Sequence, residues 1–499
     1  MGLIKHSLSF SVATLLSRVL GYVRDAFIAY YFGVSYITDA FFIAFRLPNT
    51  FRRLLGEGGF NAAFVPIYAR DIKSGREREF LSSSFTYYSL LNLLITFLGI
   101  VFAEYIVSLI APGIRNKPHF ELTVFMSRWL FTYLFFVGLS SFFMAVLNTK
   151  GVFFVPAFAQ AVFNIVFSCV LAFSVGWLGL YSLIAGVILG GIAQALFNAP
   201  SLIKTGVRLG LSLRIDPELK LLVKRLLPSL LGFGVAQLSF FIDTFLASFL
   251  ALGSISYLYY ANRIFQLPLG AVSVGIANSL LSTLSRGEDA KVNTRLAFRF
   301  VLLVSLPASI GLIVLSEHII ALLYGRGRFS ESDVYVASSV LGAYALGLTF
   351  FSLQKVLSSV FFAKGDTKTP VKASLIAVVS EGLSGSFYAF TLKMGVVGLA
   401  LGTSTSSLVG FAYLLLKARD EAVSVEELLK LLFRPLLASA IMSLVVILLK
   451  ELIINPLYTL VIIPLAMVVY FLSLLTLKEP LSLVLLGRLK GFVKQGAQP

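Results

Sequence analysis

The sequence predicts an all-α integral membrane protein with about 14 transmembrane helices: two six-helix repeats, helices 1–6 and 7–12, followed by helices 13 and 14. Three observations predict this fold: an apolar composition, a series of long apolar stretches, and an internal repeat. Of the 499 residues, 58% are hydrophobic and 13% are charged, whereas soluble domains are about half apolar and a quarter charged. Such a composition excludes a disordered, collagen-like or coiled-coil chain.

Apolar stretches of about 20 residues, long enough to cross a bilayer as helices, follow one another along the whole chain. In order, they cover residues 7–33, 37–68, 81–111, 122–147, 154–176, 178–202, 227–251, 254–285, 297–323, 333–363, 370–392, 395–416, 432–453 and 456–477. The single cysteine, Cys169, lies inside one of these stretches, so a disulfide framework within the chain is excluded.

The positive charges predict the orientation. With the N-terminus inside, the cytoplasmic connections and tails hold 27 of the 41 Lys and Arg residues, and the outside connections hold six. Cytoplasmic loops carry an excess of Lys and Arg, so both termini are expected in the cytoplasm. Topology and attraction to anionic lipid explain most of the +17 charge, and no nucleic-acid partner is needed.

Matching residues in the two halves indicate the repeat. Asp25 matches Asp243, Arg46 matches Arg263, Lys150 matches Lys364, and Leu178 matches Met394, with offsets of 218, 217, 214 and 216 residues. Each unit holds six spans, so the units cross the membrane in the same direction and are related by a pseudo-two-fold axis along the membrane normal.

The repeat sets the expected domain boundaries. They are an N-terminal six-helix lobe at 1–205, a cytoplasmic linker at 206–226, a C-terminal six-helix lobe at 227–417, a second linker at 418–431, helices 13 and 14 at 432–478, and a cytoplasmic tail at 479–499.

Charges inside the predicted spans are the main functional clue, because a charge in hydrocarbon normally faces a partner or a water-filled cavity. The basic residues in the spans are Arg18, Arg24, Arg46, Arg52, Arg53, Arg128, Arg263 and Lys355. Acids in the same segments are fewer, so we expect a net cationic cavity that receives an anion. The planar arginine fork binds phosphate or carboxylate with two hydrogen bonds.

The alternative interpretation of these charges is structural. Arg18 and Asp25 lie seven residues apart on one helical stripe, and Arg53 and Glu57 are an i,i+4 pair. The opposite charges of each pair could neutralise each other between helices, and the side chains of some arginines could extend to the membrane interface.

The motifs of a nucleotide-driven pump and of a metal site are absent from the sequence. There is no phosphate-binding Gly-x4-Gly-Lys-Ser/Thr loop, and the three histidines show no metal-binding spacing. The sequence therefore favours a transporter over an enzyme and predicts no cofactor. An ion gradient or the membrane potential is the expected energy source.

Four motifs in the predicted spans are specific. They are SRVLGYVRD at 17–25, TDAFFIAFRLPN at 38–49, RRLLGEGGF at 52–60 with FVP at 64–66, and YANRIFQLPLG at 260–270. They resemble the MurJ (MviN) lipid II flippase family of the multidrug/oligosaccharidyl-lipid/polysaccharide exporter superfamily. The resemblance implies an inner-membrane protein that moves the undecaprenyl-pyrophosphate-linked peptidoglycan precursor to the outer leaflet. It also implies that helices 13 and 14 border a groove for the lipid tail.

The resemblance also implies roles for single residues. Arginines matching Arg18, Arg24, Arg52 and Arg263 line the cavity and bind the pyrophosphate, with acids matching Asp25, Asp39 and Glu57 nearby. Arg46, Arg53 and Asn49 complete the candidate substrate-binding set. Many relatives have Asp before the helix 8 arginine, whereas this chain has Asn262. The expected partners are lipid II, membrane lipids and other cell-wall synthesis proteins.

A sodium site is also implied by part of the family, with sodium as the candidate coupling ion. The matching positions are Asp243, Ser380, Ser384 and Thr403, with Glu381 adjacent. Serines stand here where Asn or Asp is expected, which makes a weaker donor set for a hard cation that prefers several oxygens.

Two other functions stay open. One is an ion-coupled exporter of drugs or of other lipid-linked oligosaccharides in the same superfamily. A drug or cation exporter predicts that acids, not arginines, dominate the cavity. The other is a membrane scaffold without transport, for which buried arginines have no evident use.

Overall fold

A computed structural model describes the backbone of residues 2–52, 59–418, 423–450, 455–484 and 486–487. Within these ranges, it describes all side chains except those of residues 2–11, 59, 227–236 and 271–272. The described residues are helical and contain no β-strand. They divide into two compact units: Met1–Ser256 with Arg326–Phe329, and Tyr257–Gly325 with Ser330–Pro499. The two six-helix lobes with the boundaries given above stay a prediction.

The first unit contains the helices that match the first seven apolar stretches. They are α1 (Gly2–Phe32), α2 (Tyr36–Arg52), α3 (Gly59–Lys73), α4 (Glu77–Val101), α5 (Ala103–Ile110), α6 (Phe120–Thr149), α7 (Phe154–Leu178), α8 (Tyr181–Lys204) and α9 (Pro217–Ser248). Helix α9 begins where proline at its first position follows an N-cap aspartate: Asp216 Oδ1 accepts a hydrogen bond from the Glu218 amide at 2.8 Å.

Packing in the first unit centres on α6 and α7. Helix α7 contacts α1 and α8, while α6 contacts α2, α4 and α8. Aromatic rings form much of one core cluster, in which Phe60, Phe64 and Phe142 are almost completely buried. Helix α9 packs against α3 in this unit, although the repeat places its segment at the start of the second half.

An ionic cluster joins the end of α3 to the start of α9. The Arg70 guanidinium forms an ion pair with the Glu218 carboxylate, and the Arg76 guanidinium lies 3.8 Å from the Asp71 carboxylate. Burial raises the pKa of Asp71, and the neighbouring Glu218 charge raises it further. The first turn of α9 is therefore held to the first unit by charges as well as by apolar contacts.

The second unit contains the remaining helices. They are α10 (Ser254–Pro268), which begins in the last residues of the first unit, α11 (Val274–Leu284), α12 (Ala290–Val314), α13 (Ser316–Tyr324), α14 (Glu331–Ala363), α15 (Lys368–Ser386), α16 (Gly395–Ala418), α17 (Val425–Lys450) and α18 (Thr459–Thr476). Helix α14 begins at a capping box formed by Ser330 and Asp333. Helices α14, α15 and α16 pack together, and α12 packs against both α14 and α17.

Ten helical segments among the described residues are long and apolar enough to cross a membrane. They match the predicted spans 3–6 and 9–14, so the chain is a multi-pass membrane protein. The predicted spans outside this set are 1, 2, 7 and 8, which occupy equivalent places in the two repeats. They also carry most of the arginines of the candidate site. The count of 14 spans stays a prediction.

Two breaks that the apolar pattern did not predict support the repeat. The third stretch, predicted as one span, is divided at Phe102 between α4 and α5, and the ninth is divided at Leu315 between α12 and α13. Both residues have nearly the same backbone angles, φ −94° and ψ 14° for Phe102, φ −100° and ψ 10° for Leu315. The same local conformation thus recurs at corresponding places in the two halves.

Candidate functional site

The first arginine of the candidate site, Arg24, lies buried on α1 and donates hydrogen bonds to Asp25 and Asn164. Its Nε and Nη2 atoms donate to Asp25 Oδ1 at 3.0 and 2.6 Å, and its Nη1 atom donates to Asn164 Oδ1 at 3.2 Å. The Asn164 amide in turn donates to the Ser17 carbonyl at 3.0 Å, which fixes its orientation. Arg24 is 7% exposed and Asp25 is fully buried, so the ion pair is inside the protein.

The second arginine, Arg52, ends α2 and contacts the same neighbouring helix. Its Nε atom donates to Asn49 Oδ1 and its Nη1 atom to Gln160 Oε1, both at 3.1 Å. Gln160 and Asn164 are one turn apart on α7, so their amides lie on one face of that helix. This amide face of α7, formed by Gln160 and Asn164, contacts an arginine from α1 and an arginine from α2.

The third arginine, Arg46, projects from α2 onto α9. Its Nη1 atom donates to the Phe240 carbonyl and to Thr244 Oγ1, and its guanidinium lies 5.8 Å from the centre of the Phe240 ring. Asp243, one of the candidate sodium ligands, lies in the same turn of α9 and is 6% exposed.

Asp39 fills a capping role in the structure. Its carboxylate accepts hydrogen bonds from the Gly253 amide at 2.7 Å, from the Ser256 amide at 2.9 Å, and from the Ser256 hydroxyl at 2.6 Å. It therefore caps the first turn of α10 and ties α2 to it.

The other residues predicted for substrate binding are placed as follows. Arg18 is exposed on α1. Arg53 and Glu57 lie outside the described residues, so their predicted pairing stays a prediction. Arg263 is partly buried on α10, in the second unit. The structure thus brings Arg24, Asp25, Arg52 and Asn49 together around α7.

The candidate sodium ligands fall in both units. Asp243 belongs to the first unit, and Ser380, Ser384 and Thr403 belong to the second. Within the second unit, the Thr403 hydroxyl donates to Glu381 Oε1 at 2.9 Å, and the Ser384 hydroxyl donates to the Ser380 carbonyl at 2.6 Å. Glu381 adds a carboxylate to this oxygen-rich group, which is the donor chemistry that a hard cation accepts. No cluster of three or more His, Cys, Asp or Glu side chains occurs among the residues described.

Gln160, Asn164 and Glu381 are among the contacts to which the sequence analysis gave no role. The signal for the first two was a pair of amides spaced by four residues in the otherwise apolar stretch 154–176. The signal for Glu381 was an acid inside the eleventh predicted span. Polar residues at helical spacing in a membrane segment mark a face turned toward a partner or a cavity.

The described hydrogen-bond partners of Arg24 and Arg52 include one acid and several neutral amides. Asp25 offsets the charge of Arg24, whereas Asn49 and Gln160 accept hydrogen bonds from Arg52 without adding negative charge. Guanidinium groups held in this way suit the binding of an anionic group.

Comparison with known proteins gives concordant results. The sequence profile of a family described as "Lipid II flippase MurJ" matches residues 28–469. A protein of Aquifex aeolicus named "Probable lipid II flippase MurJ" is 41% identical over 97% of this chain and 96% of its own length. A protein of Vibrio cholerae with the same name is 36% identical over 83% of this chain and 82% of its own length.

Solved structures show the same likeness. A structure titled "Lipid II flippase MurJ, inward closed conformation" covers 93% of this chain and 97% of its own, with a TM-score of 0.81 and 31% identity. An inward-facing multidrug transporter of the MATE family, in the MOP superfamily, covers 83% of this chain and 97% of its own, with a TM-score of 0.70 and 15% identity. The second likeness shows the shared fold alone.

Proposed function

The chain belongs to the lipid II flippase MurJ family, and from that membership we propose that it moves lipid II from the inner to the outer leaflet of the cytoplasmic membrane. Lipid II is the peptidoglycan precursor linked to undecaprenyl pyrophosphate. The protein acts as a transporter, with both termini in the cytoplasm and with alternating access to the two sides of the membrane.

The observation that supports this function best is the amide face of α7 with its two arginines. A pyrophosphate leaving water needs charge-assisted hydrogen bonds to replace its hydration. Arg24 and Arg52 are held near one another by Asn164 and Gln160, so their positions are set before a ligand arrives. Such preorganisation lowers the cost of ordering side chains on binding.

The same contacts count against the exporter of cationic drugs. That function needs acids that face the ligand, but Asp25 is paired with Arg24 and Asp39 caps the start of α10. The bound group that the cluster favours is therefore an anion.

The test is flipping of fluorescent lipid II in proteoliposomes. Losing a hydrogen bond to a charged group costs about 1.5–3 kcal/mol, so Arg52→Ala should slow flipping by about 10- to 100-fold. Arg52→Lys should recover only part of the rate, because an ammonium group cannot bind with a planar fork. Arg286→Ala is the matched control, since Arg286 is exposed in the loop before α12.

Two results would refute the proposal. One is lipid II flipping by purified wild-type protein at the rate of protein-free liposomes. The other is tighter binding of tetraphenylphosphonium, a lipophilic cation, than of lipid II, which would assign the protein to the drug exporters.

A further inference from the structure

An apolar pocket lies in the first unit, apart from the amide face of α7. Its volume is about 630 Å³, and α2, α4, α5, α6 and α9 all contribute to its walls. Every residue that lines it is apolar or glycine. Pockets of about 300–1,000 Å³ bind small molecules in many proteins, so this one is large enough for a substantial organic group. An unpaired polar group inside it would lose hydrogen bonds to water without replacement.

The break between α4 and α5 gives the pocket its shape. Ile95 and Leu98 on α4 and Ile106 on α5 line it from the two sides of the break, with Phe102 between them. The Phe102 side chain is 47% exposed and Leu98 is 41% exposed, so the pocket is open on this side. In a membrane-spanning protein an apolar opening faces hydrocarbon more readily than water.

Helix α2 takes part in both the pocket and the arginine cluster. Leu47 and Phe51 line the pocket, while Arg52 donates hydrogen bonds to Asn49 on its own helix and to Gln160 on α7. At about 100° per residue, Arg52 lies about 120° around the helix from the pocket-lining pair, and Asn49 lies on the opposite face. The same helix therefore lines the pocket with one face and carries a guanidinium of the candidate site on another.

Helix α9 also lines the pocket and contacts an arginine of the candidate site. Phe241 and Phe245 line the pocket, while the Phe240 carbonyl and the Thr244 hydroxyl accept hydrogen bonds from Arg46. Two walls of the pocket thus also hold an arginine side chain of the candidate site. Helices α2 and α9 therefore carry both pocket-lining residues and contacts of the candidate site.

We propose that this pocket binds part of the hydrocarbon tail of the pyrophosphate-linked lipid while the arginines bind its headgroup. The proposal rests on the proposed function and adds a second contact for the same substrate, in the first unit. Lipid II joins an anionic group to a long apolar chain, and two helices of the first unit, α2 and α9, take part in both the apolar pocket and the arginine contacts. The volume limits the bound portion to a few isoprene units, and the rest of the chain stays in the bilayer.

The expected effect is moderate. Lipid tails are as apolar as the pocket, so moving the chain into it gains little from the hydrophobic effect. What the pocket offers is close contact with the branched chain, and each contact contributes a small dispersion energy. Filling the pocket should therefore lower transport of the natural substrate without abolishing binding of its headgroup.

The experiment fills the pocket and varies the tail. In Ile95→Trp and Leu98→Trp, the larger ring occupies the pocket. The matched control is Leu93→Trp. Leu93 also lies on α4, but its side chain is 52% exposed and does not line the pocket. Flipping and binding are measured with undecaprenyl lipid II, and binding is also measured with an analogue whose tail is replaced by a methyl group. We expect both pocket variants to bind and flip undecaprenyl lipid II about tenfold less well. Affinity for the methyl analogue, which has no isoprene unit to place in the pocket, and all values for Leu93→Trp should match wild type.

A photoreactive group near the pyrophosphate end of the tail supplies a second measurement that needs no variant. In the wild type it should label peptides from 95–110 and 238–245, and excess unlabelled lipid II should prevent the labelling. Labelling of these peptides by a photoreactive phospholipid that excess lipid II does not displace would overturn the proposal, because a structural lipid would then be the occupant.

Failure of this inference is distinct from failure of the function. If the wild type flips lipid II and both pocket variants flip it at the wild-type rate, the tail pocket is refuted and the flippase stands. If both variants lose affinity for undecaprenyl lipid II and for the methyl analogue equally, the pocket does not bind the tail, and this inference is refuted. If the wild type does not flip lipid II, the function itself fails.

Discussion

At the residue scale, the buried pair of Arg24 and Asp25 has both a structural and a binding role, and the two can be separated. Removing one partner of a buried ion pair costs about 3–5 kcal/mol, whereas replacing both with apolar groups of similar volume is often neutral. We therefore expect Arg24→Met to lower the melting temperature in detergent and Arg24→Met/Asp25→Leu to restore most of it. Neither variant should flip lipid II, because both lack the Arg24 guanidinium.

The control for stability is Arg18→Met, on the same helix, where the arginine is exposed. Its melting temperature should stay near that of the wild type. Wild-type flipping by the Arg24→Met/Asp25→Leu protein would contradict a substrate contact for Arg24 and leave the pair a structural feature.

The sequence singled out the arginines of the candidate site, with Asp25 and Asn49, but not their partners on α7. Arg24 and Arg52 stand out because charges are rare in apolar stretches and need an explanation. Asn164 is 140 residues from Arg24, and Gln160 is 108 residues from Arg52. Such pairings depend on how α1, α2 and α7 pack, which the hydrophobic pattern of each helix does not specify.

At the scale of helices, the junction between α2 and α10 offers a direct test of alternating access. Thr38 Oγ1 and Ser256 Oγ are 2.9 Å apart, and both residues are fully buried. Cysteines at these two positions are close enough to form a disulfide after a small shift. If the start of α2 must separate from the start of α10 during transport, Thr38→Cys/Ser256→Cys should stop flipping when oxidised and recover when reduced.

This measurement uses a background in which the native Cys169, exposed in the structure, is replaced by serine. The two single-cysteine proteins are the controls, and oxidant should leave their rates unchanged. Undiminished flipping with the crosslink shown to be complete by mass spectrometry would rule out separation at this junction.

The positions of the long helices were predictable from the sequence, because the thickness of the bilayer sets the length of the apolar stretch that each one needs. A span needs about 20 apolar residues, so long helices such as α6 (Phe120–Thr149) follow from the stretch 122–147. The breaks at Phe102 and Leu315 were not predicted, because neither is a proline or glycine. A glycine lies three or four residues before each break, Gly99 before Phe102 and Gly311 before Leu315, but single glycines occur in many of the other predicted spans and do not by themselves predict a break.

At the scale of the whole molecule, the membrane potential acts on every charge that crosses the bilayer during transport. A charge that crosses the full field gains or loses about 2.3 kcal/mol per 100 mV. An inside-negative potential drives an anionic headgroup outward, and it also draws an external cation inward. We therefore propose that the potential drives flipping and that sodium contributes through Asp243 with the hydroxyls of Ser380, Ser384 and Thr403.

Proteoliposomes separate these two contributions. Clamping the potential to zero with potassium and valinomycin should slow flipping strongly, because the headgroup then crosses without the electrical driving force. At a fixed potential, an inward sodium gradient should accelerate the wild type but not Asp243→Asn, since the amide keeps the size of the carboxylate and loses the charge that a hard cation needs. Thr244→Ser is the matched control on the same turn of α9, because it keeps the hydroxyl that contacts Arg46.

Equal flipping at zero potential would remove the electrical part of the mechanism. Equal sodium stimulation in Asp243→Asn would remove Asp243 from the coupling site and leave Glu381, which accepts the Thr403 hydrogen bond, as the carboxylate to test next.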